Sequence, residues 1–209
     1  MFVNHIIAKT PDLPPMGPYL YEYVIGSNGV FVRAKRPGLE AQIRVASTVH
    51  EIRGLTEVQP YVRIEKRISA ALVYQVFATA YRMNGNEILY YLQPDPWRIF
   101  IPDQVQNGVS VHPVDPFIGG PDTMVEIHSH HAMKAFFSRA DDLEEKAGFR
   151  IYAVVGQVNQ NRPIIAVRVG IYGYFWKIPA CWVFDLPDFV EDEFVDSLDF
   201  IYEDIEDGN

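Results

Sequence analysis

The order of extended and helical patterns along the chain predicts an α/β or α+β fold. Three observations carry that expectation. The first sixty residues alternate in extended style between turn formers, the stretch from Ile68 to Met83 has one apolar helical face, and a series of strand-like segments follows with a second short helical pattern inside it. With 209 residues the chain has room for one or two domains. A composition of 48% hydrophobic and 22% charged residues is ordinary for a globular protein and excludes a wholly disordered or fibrous one.

Each element has a local reason. YLYEYVI (19–25) and VFVRAKR (30–36) flank Gly26-Ser27-Asn28-Gly29, a group suited to a hairpin turn. Pro37-Gly38 marks a second turn, and EAQIRVAST continues a small antiparallel meander. Ile68, Leu72 and Val76, with Val73, Phe77 and Ala80 beside them, define the helix face. Asn84-Gly85-Asn86 ends it, with Gly85 as a left-handed cap. EILYYLQ (87–93), WRIFIP (97–102), VSVHPV (109–114) and MVEIHSHH (124–131) read as strands, and ADDLEEKAG (140–148) reads as a short helix. RIYAVVGQV, RPIIAVRVGIYGY and PACWVFDL supply up to three further strands, and Cys181 in the last of them is read as a buried thiol. His50 is read as solvated surface.

The net charge of −9 is a property of one end. Asp185 to Asp207 holds eleven acidic residues and no Lys or Arg, which leaves the body at sixteen acids against eighteen bases. No clustered basic face marks a nucleic-acid binder, so direct nucleic-acid binding is disfavoured. Val190, Phe194, Leu198, Ile201 and Ile205 fit an acidic amphipathic helix as well as a frayed, solvated end. No apolar run approaches the ~18 residues of a membrane span, and the first residues lack the pattern of a secretory signal. One cysteine excludes an internal disulfide framework and a Cys-cluster zinc site. A cytoplasmic protein is expected.

The chemistry concentrates at Glu126-Ile127-His128-Ser129-His130 and Ser138-Arg139-Ala140-Asp141. Residues two apart in a strand share a face, so His128 and His130 can present both imidazoles to one ion. Asp141, in the first turn of the following helix, would complete a two-nitrogen, one-oxygen set that leaves the fourth tetrahedral position of Zn2+ open. Hydrolysis there needs a carboxylate outside the ligand set as general base. Glu87 and Glu126 are the two candidates, the second sharing the face of the histidines. Ser138 could support an oxyanion, and it could equally cap the helix with Asp141 at N3.

His128-x-His130-x7-Ser138-x2-Asp141, with an upstream Glu opening a strand after a helix, resembles the JAMM motif of the metalloprotease branch of the JAB/MPN domain family. The resemblance implies metal ligation by His128, His130 and Asp141, a general base at Glu87, and Ser138 supporting the transition state. It implies a mixed, curved sheet sandwiched by helices, with the long helix ahead of the Glu strand at Ile68–Met83. It covers roughly residues 65–185 and divides the chain into an N-terminal β-rich extension (1–62), a JAB/MPN-like metallohydrolase domain (63–185) and an acidic tail (186–209). The expected activity is that of an isopeptidase or peptidase cleaving at the C-terminus of a ubiquitin-like or sulfur-carrier protein. HSHHAMKAFFSRADD is similar to bacterial JAB proteins whose partners resemble ubiquitin-type activating and conjugating enzymes. Two positions depart from the family pattern. His131 replaces a frequent Pro, which bears on loop geometry, and Tyr90 replaces a frequent Gly, which is expected to narrow the substrate cleft. A non-catalytic JAB-like scaffold for partner proteins, and a zinc protein acting on a small or nucleic-acid-related substrate, are the competing readings.

Overall fold

The computed structural model describes residues 2–194. It is a sheet-rich mixed α/β structure with two short α-helices. Strands β1 (Val3–Ile7), β2 (Tyr21–Gly26), β3 (Gly29–Arg36), β4 (Leu39–Ser47) and β5 (Tyr61–Ile64) form one sheet in sequence order. The β2–β3–β4 meander is antiparallel as its turns predict, while β1 pairs parallel with β2. Helix α1 (Ala70–Arg82) follows, then β6 (Leu89–Gln93), β7 (Arg98–Phe100), β8 (Gln104–Gln106), β9 (Val111–Pro113) and β10 (Val125–Ser129). After helix α2 (Arg139–Glu144) come β11 (Phe149–Gly156), β12 (Ile164–Ile171), β13 (Tyr174–Lys177) and β14 (Glu191–Asp192). The second large sheet runs β13-β12-β11-β10-β6-β7, with β14 also on β12, and β8–β9 is a separate hairpin.

Alternation along the central strands assigns the two faces of this sheet. Ile88, Tyr90 and Leu92, Val125 and Ile127, Ile151, Ala153 and Val155, and Ile165, Val167 and Val169 share one core with Val73, Val76, Phe77 and Ala80 of α1. The same core includes Val32, Ala34, Leu39, Ala41 and Ile43 of the first sheet. The expected boundary at residue 62 falls inside β5, and the core is continuous across it. The opposite face carries Glu126, His128, Tyr152 and Arg168.

Parallel pairing of β10 with β11 requires a long crossover, and residues 130–148, including α2, supply it. The crossover returns over the face that bears His128. This connection is what brings Asp141 back to the histidine strand.

Several expectations change. The helix begins at Ala70 because the Ile68 backbone is engaged with the later chain: its N–H donates to Val183 O at 2.9 Å, and its carbonyl accepts from Asp185 N–H at 2.8 Å. At the helix end Asn84 takes the left-handed position (φ 49°), with Gly85 following at φ 102°. PACWVFDL is not a strand. It forms a 3-10 turn at Ala180–Trp182 that buries Ala180, Val183 and Phe184 and leaves Cys181 exposed, contrary to the buried-thiol expectation. At the start of the acidic region, Leu186 and Phe189 pack on the core and Val190 is buried. Glu191–Asp192 is extended, so a helix does not run through these two positions. The rest of that helical pattern lies outside the described residues.

Candidate metal centre

The site is built on the end of β10. In the antiparallel register with β6, His128 lies opposite Leu89. The pairing extends past the strand end: Ser129 N–H donates to Ile88 O at 3.0 Å, and Ile88 N–H donates to Ser129 Oγ at 3.0 Å. Glu87 directly precedes Ile88 and lines the same cavity as His130. Glu87 is fixed from the other side as well, because its N–H donates to Asn107 O at 2.8 Å and Gln104 Oε1 accepts from Leu89 N–H at 2.9 Å. The β8 flank that provides these contacts went unread in the sequence.

His128 and His130 bring their Nε2 atoms to 3.2 Å, and His128 Nε2 lies 3.6 Å from Asp141 Oδ1. The three prospective ligand atoms are all within 4.8 Å of one another. Two ligands at ~2.0–2.1 Å from a tetrahedral zinc ion are ~3.4 Å apart, so the spacing suits one ion. His130 Nδ1 lies 3.1 Å from the Lys134 carbonyl, which fixes Nδ1 as the protonated nitrogen and leaves Nε2 with its lone pair free. Burial holds the His128 imidazole down at about 4 against the opposing pull of Asp141, and burial lowers His130 likewise. Both rings are therefore neutral near pH 7, the form that binds metal.

Asp141 is aimed by a capping box. Ser138 N–H donates to Asp141 Oδ2 at 2.5 Å, and Ser138 Oγ accepts from Asp141 N–H at 3.3 Å. With Oδ2 held by the cap, Oδ1 is the oxygen nearest His128. Capping and ligand orientation are thus one device.

Glu87, His128, His130, Glu126, Ser138 and Asp141 line one cavity of about 310 Å³. The two carboxylates weighed as bases differ in their surroundings. Glu126 accepts from Arg150 Nη1 at 3.1 Å. Burial raises its carboxyl and Arg150 pulls it back. Glu87 is 3% exposed, and its Oε1 has no hydrogen-bond partner among the described residues. Burial, with a smaller contribution from the Asp141 charge, pushes its carboxyl up to about 7.

Two supports come from β11 and β12. A side chain at Gly156 would place its Cβ 2.4 Å from Ala135 N and 2.5 Å from Lys134 C, so the absence of one lets the loop bearing the Lys134 carbonyl lie against the strand. Arg168 is buried with its guanidinium 4.0 Å from both the Phe137 and Phe175 rings. It donates to Asp142 Oδ1 at 2.6 Å and to Glu145 Oε2 at 2.8 and 2.5 Å, tying down the helix that carries Asp141. A charged residue inside the apolar run Ile164–Ile171 was the available signal for this clamp.

The two departures have structural explanations. Tyr90 points into the core, 1% exposed, and its hydroxyl donates to Val76 O at 3.0 Å. It does not narrow the cleft, because alternation sends it to the face opposite Glu87. His131 adopts φ 37°, which a proline ring cannot reach. Comparison with protein-family models and with curated proteins finds no match for this chain.

Proposed function

We propose that this chain is a zinc-dependent amide hydrolase of the JAMM-motif branch of the JAB/MPN family. Its action is that of an isopeptidase or peptidase at the C-terminal linkage of a ubiquitin-like or sulfur-carrier protein. The observation that supports it best is the convergence of His128, His130 and Asp141 beside a buried carboxylate with an unpartnered oxygen. The position of α1 ahead of the Glu87 strand, and the pairing of that strand with the histidine strand, agree with the resemblance.

His128, His130 and Asp141 would hold the zinc ion, which would supply Lewis acidity towards the scissile carbonyl and water. Glu87 accepts the proton and delivers it to the leaving nitrogen, a task suited to a carboxyl whose affinity for protons lies near neutrality. Ser138 Oγ accepts from Asp141 N–H, so its own O–H remains to donate to the oxyanion. Glu126, occupied by Arg150, is the weaker choice of base. A scaffold without turnover has no use for a buried carboxylate that makes no hydrogen bond through one oxygen, and this weighs against the non-catalytic reading.

The test is cleavage of ubiquitin-like proteins carrying a C-terminal peptide or an isopeptide-linked lysine. The wild type with zinc should release the C-terminal fragment, and Glu87→Gln should retain zinc without turnover. Cleavage by Glu87→Gln at the wild-type rate removes Glu87 as base.

A further inference from the structure

A second cleft of about 620 Å³ opens at the seam between the two large sheets. Lys35 and Arg36 from the end of β3, Arg98 from β7 and Arg150 from β11 line it, with Asp122 the one acidic side chain on its wall among the described residues. Lys35 and Arg150 are paired with Glu40 and Glu126, while Arg36 and Arg98 have no carboxylate partner among the described residues. Arg36 Nη1 donates to the carbonyls of Thr123 (2.9 Å) and Phe149 (3.2 Å), and Nη2 donates to that of Pro121, so neutral oxygens hold a full charge in place. Arg98 makes no ion pair among the described residues. Among the described residues Lys35 reaches only Glu40, at 3.3 Å and largely in solvent.

The cleft does not end there. Gly120, Gly148 and Arg150 also line an adjoining depression, which shares Glu126, Glu144 and Glu145 with the metal cavity. One groove therefore runs from an acidic end to a basic end, with the Glu126–Arg150 pair at the junction (3.1 Å).

We infer that the basic cleft is a binding site for an acidic polypeptide segment, seated with its carboxylates among Lys35, Arg36, Arg98 and Arg150. Arg98 offers a guanidinium fork that matches carboxylate geometry, while Arg36, held by backbone carbonyls, and Arg150, held by Glu126 and the Gly120 carbonyl, add positive potential to the cleft. A continuous polyanion such as a nucleic acid would meet Glu126, Glu144 and Glu145 farther along the groove. A polypeptide can carry acids on one side and neutral residues on the other. The site does not depend on the metal reading.

The test is fluorescence anisotropy of a labelled hexaglutamate peptide with the full-length chain at low ionic strength, where screening of surface charge is weak. It is run with zinc and repeated with EDTA, so that failure of the metal centre and failure of this site are distinguishable. Saturable binding is expected in both conditions, weakened about tenfold by Arg98→Glu and by Lys35→Glu. Arg162→Glu makes the same charge change beyond the other end of β12 and should leave binding within about twofold of wild type. Both cleft substitutions are of exposed residues, so the fold is retained. Absence of saturable binding overturns the proposal. So does equal weakening by all three substitutions, which reports net charge alone. Tighter binding of an oligothymidylate of equal charge, displacing the peptide, reassigns the cleft to nucleic acid and also overturns it.

Discussion

Replacing Glu87 with glutamine should abolish turnover and, in the metal-free protein at neutral pH, stabilise the fold. The carboxyl is 3% exposed, has an oxygen with no partner among the described residues, and is pushed by burial from 4.5 up to about 7. The folded state therefore binds this proton more tightly than the unfolded chain does. Below pH 4.5 both states are protonated and no cost arises. Between pH 4.5 and about 7 the unfolded chain ionises first, and above pH 7 the penalty is fully developed. The interval corresponds to up to ~3 kcal/mol. For a chain of this size that is ~6–12 °C in Tm. Thermal or urea denaturation of wild type and Glu87→Gln in EDTA, from pH 4 to pH 8, measures it. The two curves should coincide near pH 4 and diverge in favour of Glu87→Gln towards pH 8. A difference independent of pH, or a less stable Glu87→Gln at pH 8, refutes the assignment of Glu87 as a buried, unpaired carboxylate.

Three further outcomes follow from the supports of the site. Ser138→Ala should lose ~1 kcal/mol with the cap. Ser138→Asn should restore stability, measured by urea denaturation, without restoring turnover. Arg168→Met leaves Glu145 buried without its partner and should cost ~3 kcal/mol or more. Its effect as a positioning residue is read separately, as zinc affinity falling in Arg168→Lys, where the charge is kept but the two-carboxylate fork is lost. Gly156→Ala should displace residues 133–135 and with them the Lys134 carbonyl that orients His130. Weaker zinc binding by competition with a chelator, with the circular dichroism spectrum retained, is the expected result.

Much of the site was legible because its information is local. The two-residue spacing of His128 and His130 sets one strand face, and the Ser138–Asp141 spacing sets a capping box. Both follow from periodicities of a single element. The choice between Glu87 and Glu126 was not local. Their surroundings differ through Arg150, which reaches Glu126 from a neighbouring strand, whereas no such partner meets Glu87 Oε1 among the described residues. Non-local pairing also hid β1, which joins β2 in parallel across an intervening loop, and β8, whose three residues give too little alternation to read. Cys181 was misread for a related reason: an apolar run bounded by Pro179 and Pro187 folds as a turn, and its alternation does not predict which side chains face inward. The strand after α1 is Leu89–Gln93, so Glu87 and Ile88 lie just ahead of it and not inside it, while the crossover helix is legible in the acidic start of α2.

The central claim is that His128, His130 and Asp141 hold one metal ion. Elemental mass spectrometry of the tag-free chain after zinc reconstitution and desalting tests it most directly, with Asp141→Ala alongside. Near one zinc per chain in the wild type, falling sharply in Asp141→Ala, is the predicted result. An absence of bound zinc, or stoichiometry unchanged by loss of the Asp141 carboxylate, contradicts the account.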